Sequence, residues 1–123
     1  MSEKQVLVPG PDHPITISTT DETVVVRFAG RIIAKTDDAL VLREAAYRPV
    51  FYLPLDAVDT EVLQASDHQT YCPFKGDASY YSVVVREQRS ENAVWSYLAP
   101  YDAVAEIAGR VAFYPDRVDI STE

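Results

Sequence analysis

The sequence is poor in the residues that build metal centres, disulfides and phosphate-binding loops. Its 123 residues include one cysteine, two histidines and four widely separated glycines. A lone cysteine forms no internal disulfide, and a structural zinc needs about four Cys or His ligands, so we expect neither a metal nor another cofactor. Glycine-rich phosphate loops, Gly-x-Ser-x-Gly elbows and His-Glu-x-x-His motifs are also missing from the sequence.

Positive charge is scarce as well. Lys and Arg number 11 against 19 Asp and Glu, which gives a formal net charge of −8. Binding to a phosphate backbone draws on clustered Lys and Arg, so we expect no nucleic-acid partner. The sequence has no apolar run of about 18 residues and no secretory signal, which predicts a soluble, cytoplasmic protein without a membrane partner. Its length fits one domain over residues 1–123, and a homo-oligomer stays open.

Alternating apolar and polar residues, separated by turn signals, predict a mainly β domain of short antiparallel strands. The predicted strands cover residues 15–18, 24–28, 31–36, 39–44, 50–54, 78–86 and 94–97. A last hairpin is predicted from residues 111–114 and 118–120. Helical spacing predicts one or two short helices, over residues 55–63 with Asp56 as the cap and over residues 100–108 before Gly109.

Residues 72–76, Cys-Pro-Phe-Lys-Gly, predict a tight turn, because Pro73 fixes its own backbone angle and Gly76 relieves the exit. The turn brings Cys72 close to Lys75. Cys72 is a candidate nucleophile, since a neighbouring ammonium favours the thiolate, but a free cysteine more often packs in a core. Lys75 is either an anion-binding charge, a solvated lysine or a desolvated amine.

His68 precedes Cys72 by four residues, and a Cys-His pair can be written from the sequence. Along an extended strand, however, Cα atoms four residues apart are separated by about 13 Å, too far for a direct hydrogen bond. We therefore interpret His68 as a loop histidine.

Tyrosines and the single tryptophan gather on or beside the predicted central strands. Such side chains suit both half-buried sheet faces and the walls of ligand pockets, so core packing and a pocket are both open. Trp95 and Tyr97 lie two apart on one predicted strand and so share a face. The predicted pocket binds a small polar or anionic molecule and is lined by Arg48, Tyr52, Cys72, Lys75, Tyr80, Trp95 and Tyr97.

Residues 48–54, 66–81, 93–97 and 107–114 resemble the bacterial domain-of-unknown-function family 427. Its Cys-Pro-[Tyr or Phe]-Lys-Gly turn is matched by residues 72–76, and its Trp-Ser-Tyr strand by residues 95–97. The resemblance implies a β-tent architecture, in which two antiparallel sheets lean together over a cleft. The zinc cysteines of β-tent relatives are missing here, and Cys72 has no second thiol for a redox cycle.

The family also carries a nucleotidyltransferase-like label. The sequence gives that label no support, because no paired metal-binding carboxylates lie beside a Gly-Ser motif. Besides small-molecule binding, two functions stay open. One is an enzyme that uses Cys72 or Lys75 on a carbonyl or phosphoryl compound, and the other is a protein-interaction module with an exposed tyrosine face.

Overall fold

The structure, a computed structural model, describes residues 4–123 and confirms a mainly β protein. The strands, numbered in chain order, are β1 (Ile15–Thr19), β2 (Val24–Phe28), β3 (Arg31–Thr36), β4 (Leu40–Glu44), β5 (Val50–Tyr52), β6 (Leu63–Cys72), β7 (Gly76–Val85), β8 (Gln88–Ser96), β9 (Val111–Phe113) and β10 (Asp119–Thr122). Short 3₁₀ segments cover Leu55–Ala57, Thr60–Val62 and Asp102–Ile107. No helix in this part of the chain has the length and apolar character needed to cross a membrane.

The strands pair antiparallel in three sheets, ordered β1-β4-β5, β10-β2-β3 and β6-β7-β8-β9. The resemblance implied two sheets, and two of the three are in fact joined. Leu53, just after β5, exchanges backbone hydrogen bonds of 2.8 and 2.9 Å with Val111 at the start of β9. The first sheet therefore continues into the edge of the four-stranded sheet.

Both faces of the four-stranded sheet are covered by buried side chains. Successive side chains of β7 face opposite sides of the sheet. Val83 belongs to a cluster that includes residues of β2 and β3, whereas Tyr80 belongs to a second cluster with residues of β4 and β5. Burying each large apolar side chain contributes about 1.5–3 kcal/mol, so the two clusters hold the three sheets together.

The single helical segment predicted over residues 55–63 is divided in the structure. Two separate 3₁₀ turns replace it, because the chain between them bonds to β3: the Asp59 N–H donates to the Ile33 carbonyl at 2.8 Å. Asp59 also takes the capping role predicted for Asp56, since its carboxylate accepts from the Glu61 N–H at 3.1 Å. Sheet hydrogen bonds here outweigh the helical spacing.

The prediction of a C-terminal hairpin is wrong. β9 pairs with β8, whereas β10 pairs with β2, so the two strands lie in different sheets. The segment predicted to be helical over residues 100–108 is a 3₁₀ segment in which Val104 has non-helical dihedrals (φ −128°, ψ 29°). Gly109 follows it with φ +73°, as expected for a glycine that ends such a turn.

Candidate functional site

The turn at residues 72–76 joins β6 to β7 and positions Lys75. The Lys75 N–H donates to the Cys72 carbonyl at 3.2 Å, which closes the predicted turn, and Gly76 has φ +112°. The Lys75 carbonyl accepts from the Tyr101 N–H at 3.1 Å, and the Pro73 carbonyl from the Leu7 N–H at 2.9 Å. The turn is therefore held from two sides, and the backbone of Lys75 is fixed.

The Lys75 side chain is buried and forms an ion pair with Glu44 at the end of β4. The second carboxylate oxygen of Glu44 lies 2.8 Å from His13 Nε2. Burial alone would raise the pKa of Glu44, but the hydrogen bonds with Lys75 and His13 outweigh it and lower that pKa. Glu44 is thus a carboxylate at neutral pH.

Beside this ion pair lies a cavity of about 180 Å³, which we call the polar cavity. The structure brings six of the seven predicted binding residues to it, namely Arg48, Tyr52, Lys75, Tyr80, Trp95 and Tyr97. Glu44 and Tyr114 also line it, and neither was among the binding residues predicted from the sequence. One signal was available for Glu44, because alternation along residues 39–44 puts it on the same strand face as Leu42.

Cys72, the seventh predicted residue, does not line the polar cavity. It is partly buried and packs against the second core cluster. His68 lies elsewhere, with its ring edge-on to Tyr80 at a centroid distance of 4.5 Å. Within residues 4–123, no three His, Cys, Asp or Glu side chains are grouped so that they could hold a metal ion.

Two hydroxyl groups at the polar cavity, those of Tyr52 and Tyr97, are available to donate hydrogen bonds. Burial raises the pKa of Tyr52 and of Tyr97, so both phenols keep their protons at neutral pH. The Tyr52 oxygen accepts from Trp95 Nε1 at 3.1 Å, which leaves its own proton free to donate. In the described part of the chain, the Tyr97 hydroxyl has no hydrogen-bonding partner.

A larger, apolar cavity of about 380 Å³ borders the polar one. Four residues line both cavities, namely Arg48, Val50, Trp95 and Tyr114. The ring of Trp95 lies 4.4 Å from that of Tyr114, measured between centroids. The remaining lining residues of the larger space are all apolar, and we call it the apolar cavity.

A family model described as a domain of unknown function (DUF427) matches residues 16–123. The chain belongs to the DUF427 family. The match contains every residue that lines the polar cavity, whereas His13 lies before it. A comparison with curated proteins finds no match. Membership of DUF427 therefore gives the chain a family, but it assigns neither a ligand nor a reaction.

Proposed function

We propose that the polar cavity binds a small polar or anionic molecule rich in hydrogen-bond acceptors. The observation that carries this proposal is the incomplete bonding of Lys75. Its ammonium group has three N–H donors, yet among residues 4–123 its only side-chain partner is Glu44. Lys75 lines the polar cavity and is 9 % exposed, so its two remaining donors have few routes to bulk water. An acceptor-bearing ligand would complete their hydrogen bonds.

Charge favours an anionic group on that ligand. Glu44 offsets the charge of Lys75, and Arg48 then leaves the polar cavity with one surplus positive charge. Arg48 is exposed, and its guanidinium has no ionic or hydrogen-bonding partner in the described residues. A guanidinium presents a planar set of donors that matches a carboxylate or a phosphate.

The enzyme alternative has less support. Cys72 lies outside the polar cavity, so its thiol does not share a space with Lys75 and Arg48. Lys75 is engaged by Glu44 as an ammonium group, which has no lone pair to attack a carbonyl or phosphoryl compound. We therefore favour a binding protein over an enzyme. We expect it to act in the cytoplasm and to bind small molecules rather than nucleic acid.

The test is a screen of small polar and anionic metabolites that follows the emission of Trp95, the single tryptophan. Removing a charge-assisted hydrogen bond loses about 1.5–3 kcal/mol, so Lys75→Met should weaken binding of a hit by about 10- to 150-fold. Arg48→Ala should weaken an anionic hit similarly. Arg43→Ala is the matched control, since Arg43 is an exposed arginine on β4 that does not line the cavity.

Hits that bind Lys75→Met as tightly as the unmodified protein would contradict the proposal, and so would a screen in which no polar metabolite binds. If the protein converts a hit to a product at a rate that depends on Lys75, that result would support the enzyme alternative.

A further inference from the structure

The two cavities differ in size and in chemistry. Small-molecule sites usually enclose about 300–1,000 Å³. The polar cavity, at about 180 Å³, falls below that range, whereas the apolar cavity, at about 380 Å³, lies within it. A ligand larger than a few atoms that reaches the polar cavity therefore needs further space, and the bordering apolar cavity offers it.

The walls of the apolar cavity come from different sheets. Val26 of β2, Leu53 beside β5 and Phe113 of β9 are buried, and Ile120 of β10 is partly buried. Arg48 is the one charged residue that lines this space, and it lies where the two cavities meet. The site thus offers a hydrocarbon-compatible interior with a single cation at its border.

We propose that the apolar cavity holds the hydrocarbon part of a small carboxylic acid, and that Arg48 binds its carboxylate where the two cavities meet. This inference rests on the proposed function and adds a ligand class to it. The planar donors of Arg48 match a carboxylate. Each methylene group that the apolar walls remove from water makes the binding free energy more favourable. A neutral ligand would leave Arg48 without its counter-charge.

The test uses two matched series of probes, the straight-chain carboxylates from acetate to octanoate and the primary alcohols of equal length. Binding is measured by calorimetry and by Trp95 emission. Burying a methylene is worth about 0.8 kcal/mol, so affinity for the acids should rise about three- to fourfold per added CH₂ until the cavity is filled. The alcohols, and all acids with Arg48→Ala, should bind at least about tenfold more weakly.

Filling the cavity gives a second readout. Ile120→Phe adds volume inside the apolar cavity, so it should stop the rise in affinity at a shorter acid while leaving short acids unaffected. Ile32→Phe is the matched control, because Ile32 is an exposed isoleucine on β3 that does not line the cavity. Circular dichroism before each titration shows whether a variant is folded.

Affinity that does not depend on chain length, or does not depend on Arg48, overturns this inference. If polar metabolites bind through Lys75 but no acid binds, the inference fails and the proposed function stands. If neither class binds, both fail. Sedimentation analysis covers one further outcome: a dimer that Ile120→Phe dissociates would assign the apolar cavity to a second copy of the chain and overturn the inference as well.

Discussion

The ion pair between Lys75 and Glu44 gives the most demanding prediction on stability. Their side chains are 11 % and 14 % exposed, so the pair lies between a surface pair, worth about 0–1 kcal/mol, and a fully buried one, whose disruption costs about 3–5 kcal/mol. We expect each single replacement, Lys75→Met or Glu44→Leu, to lower the free energy of unfolding by about 2–4 kcal/mol. For a chain of this length that is about 6–20 °C in melting temperature.

The two replacements should also differ from each other. Glu44→Leu leaves the ammonium of Lys75 without a described partner, whereas Lys75→Met leaves Glu44 bonded to His13. Glu44→Leu should therefore be the more damaging change. The double variant removes both charges and should be more stable than the sum of the single losses implies, with a coupling of at least about 1 kcal/mol.

Urea unfolding followed by circular dichroism measures all four free energies of the cycle. Lys35→Met is the control, since Lys35 forms a surface pair with Glu123 at 3.8 Å in which both side chains are more than half exposed. It should cost at most about 1 kcal/mol. Single losses that add within about 0.5 kcal/mol, or equal losses for Lys75→Met and Lys35→Met, would show that Lys75 and Glu44 do not act as a coupled, buried ion pair.

Three further predictions concern the turn, the carboxylate and the thiol. Gly76→Ala should lower the free energy of unfolding by about 1–3 kcal/mol because the backbone of Gly76 has φ +112°, although an added Cβ meets no atom closer than 3.5 Å. Gly10 has no positive φ, so Gly10→Ala should have a melting temperature close to that of the unmodified protein. Equal melting temperatures for the two variants would contradict this prediction. Because the pKa of Glu44 is lower in the folded protein, its carboxylate contributes stability above pH about 4.5, and that contribution is lost as the pH falls further, so the stability difference from Glu44→Leu should shrink as the pH falls below about 4.5. Cys72 is partly buried, so iodoacetamide should label it more slowly in the native protein than in urea, and equal rates would contradict its packed position.

Local patterns in the sequence were sufficient for the strands of the first third. The predicted strands over 24–28 and 31–36 have the bounds of β2 and β3, because alternation and turn residues there agree with the sheet pairing. β6 was not predicted as a strand. All ten of its residues are exposed or only partly buried, and they lack the apolar alternation that indicates a strand. β6 forms because it pairs with β7, although its own sequence does not indicate a strand.

Non-local pairing explains the remaining differences. Nothing within residues 111–120 indicates that β9 pairs with β8 while β10 pairs with β2, since each partner lies elsewhere in the chain. The site shows the same limit. The composition of the turn drew attention to Lys75, but its partner Glu44 comes from a different sheet, 31 residues earlier. A strand face can be predicted from alternation, but the face that lies opposite it cannot.

A crystal structure of the protein with the tightest hit from the metabolite screen shows whether the polar cavity is the binding site. We expect ligand density in the polar cavity, with an acceptor atom within hydrogen-bond distance, about 2.7–3.2 Å, of Lys75 Nζ and an anionic group at Arg48. Density that lies away from both side chains, with the ion pair of Lys75 and Glu44 facing only ordered water, would contradict it.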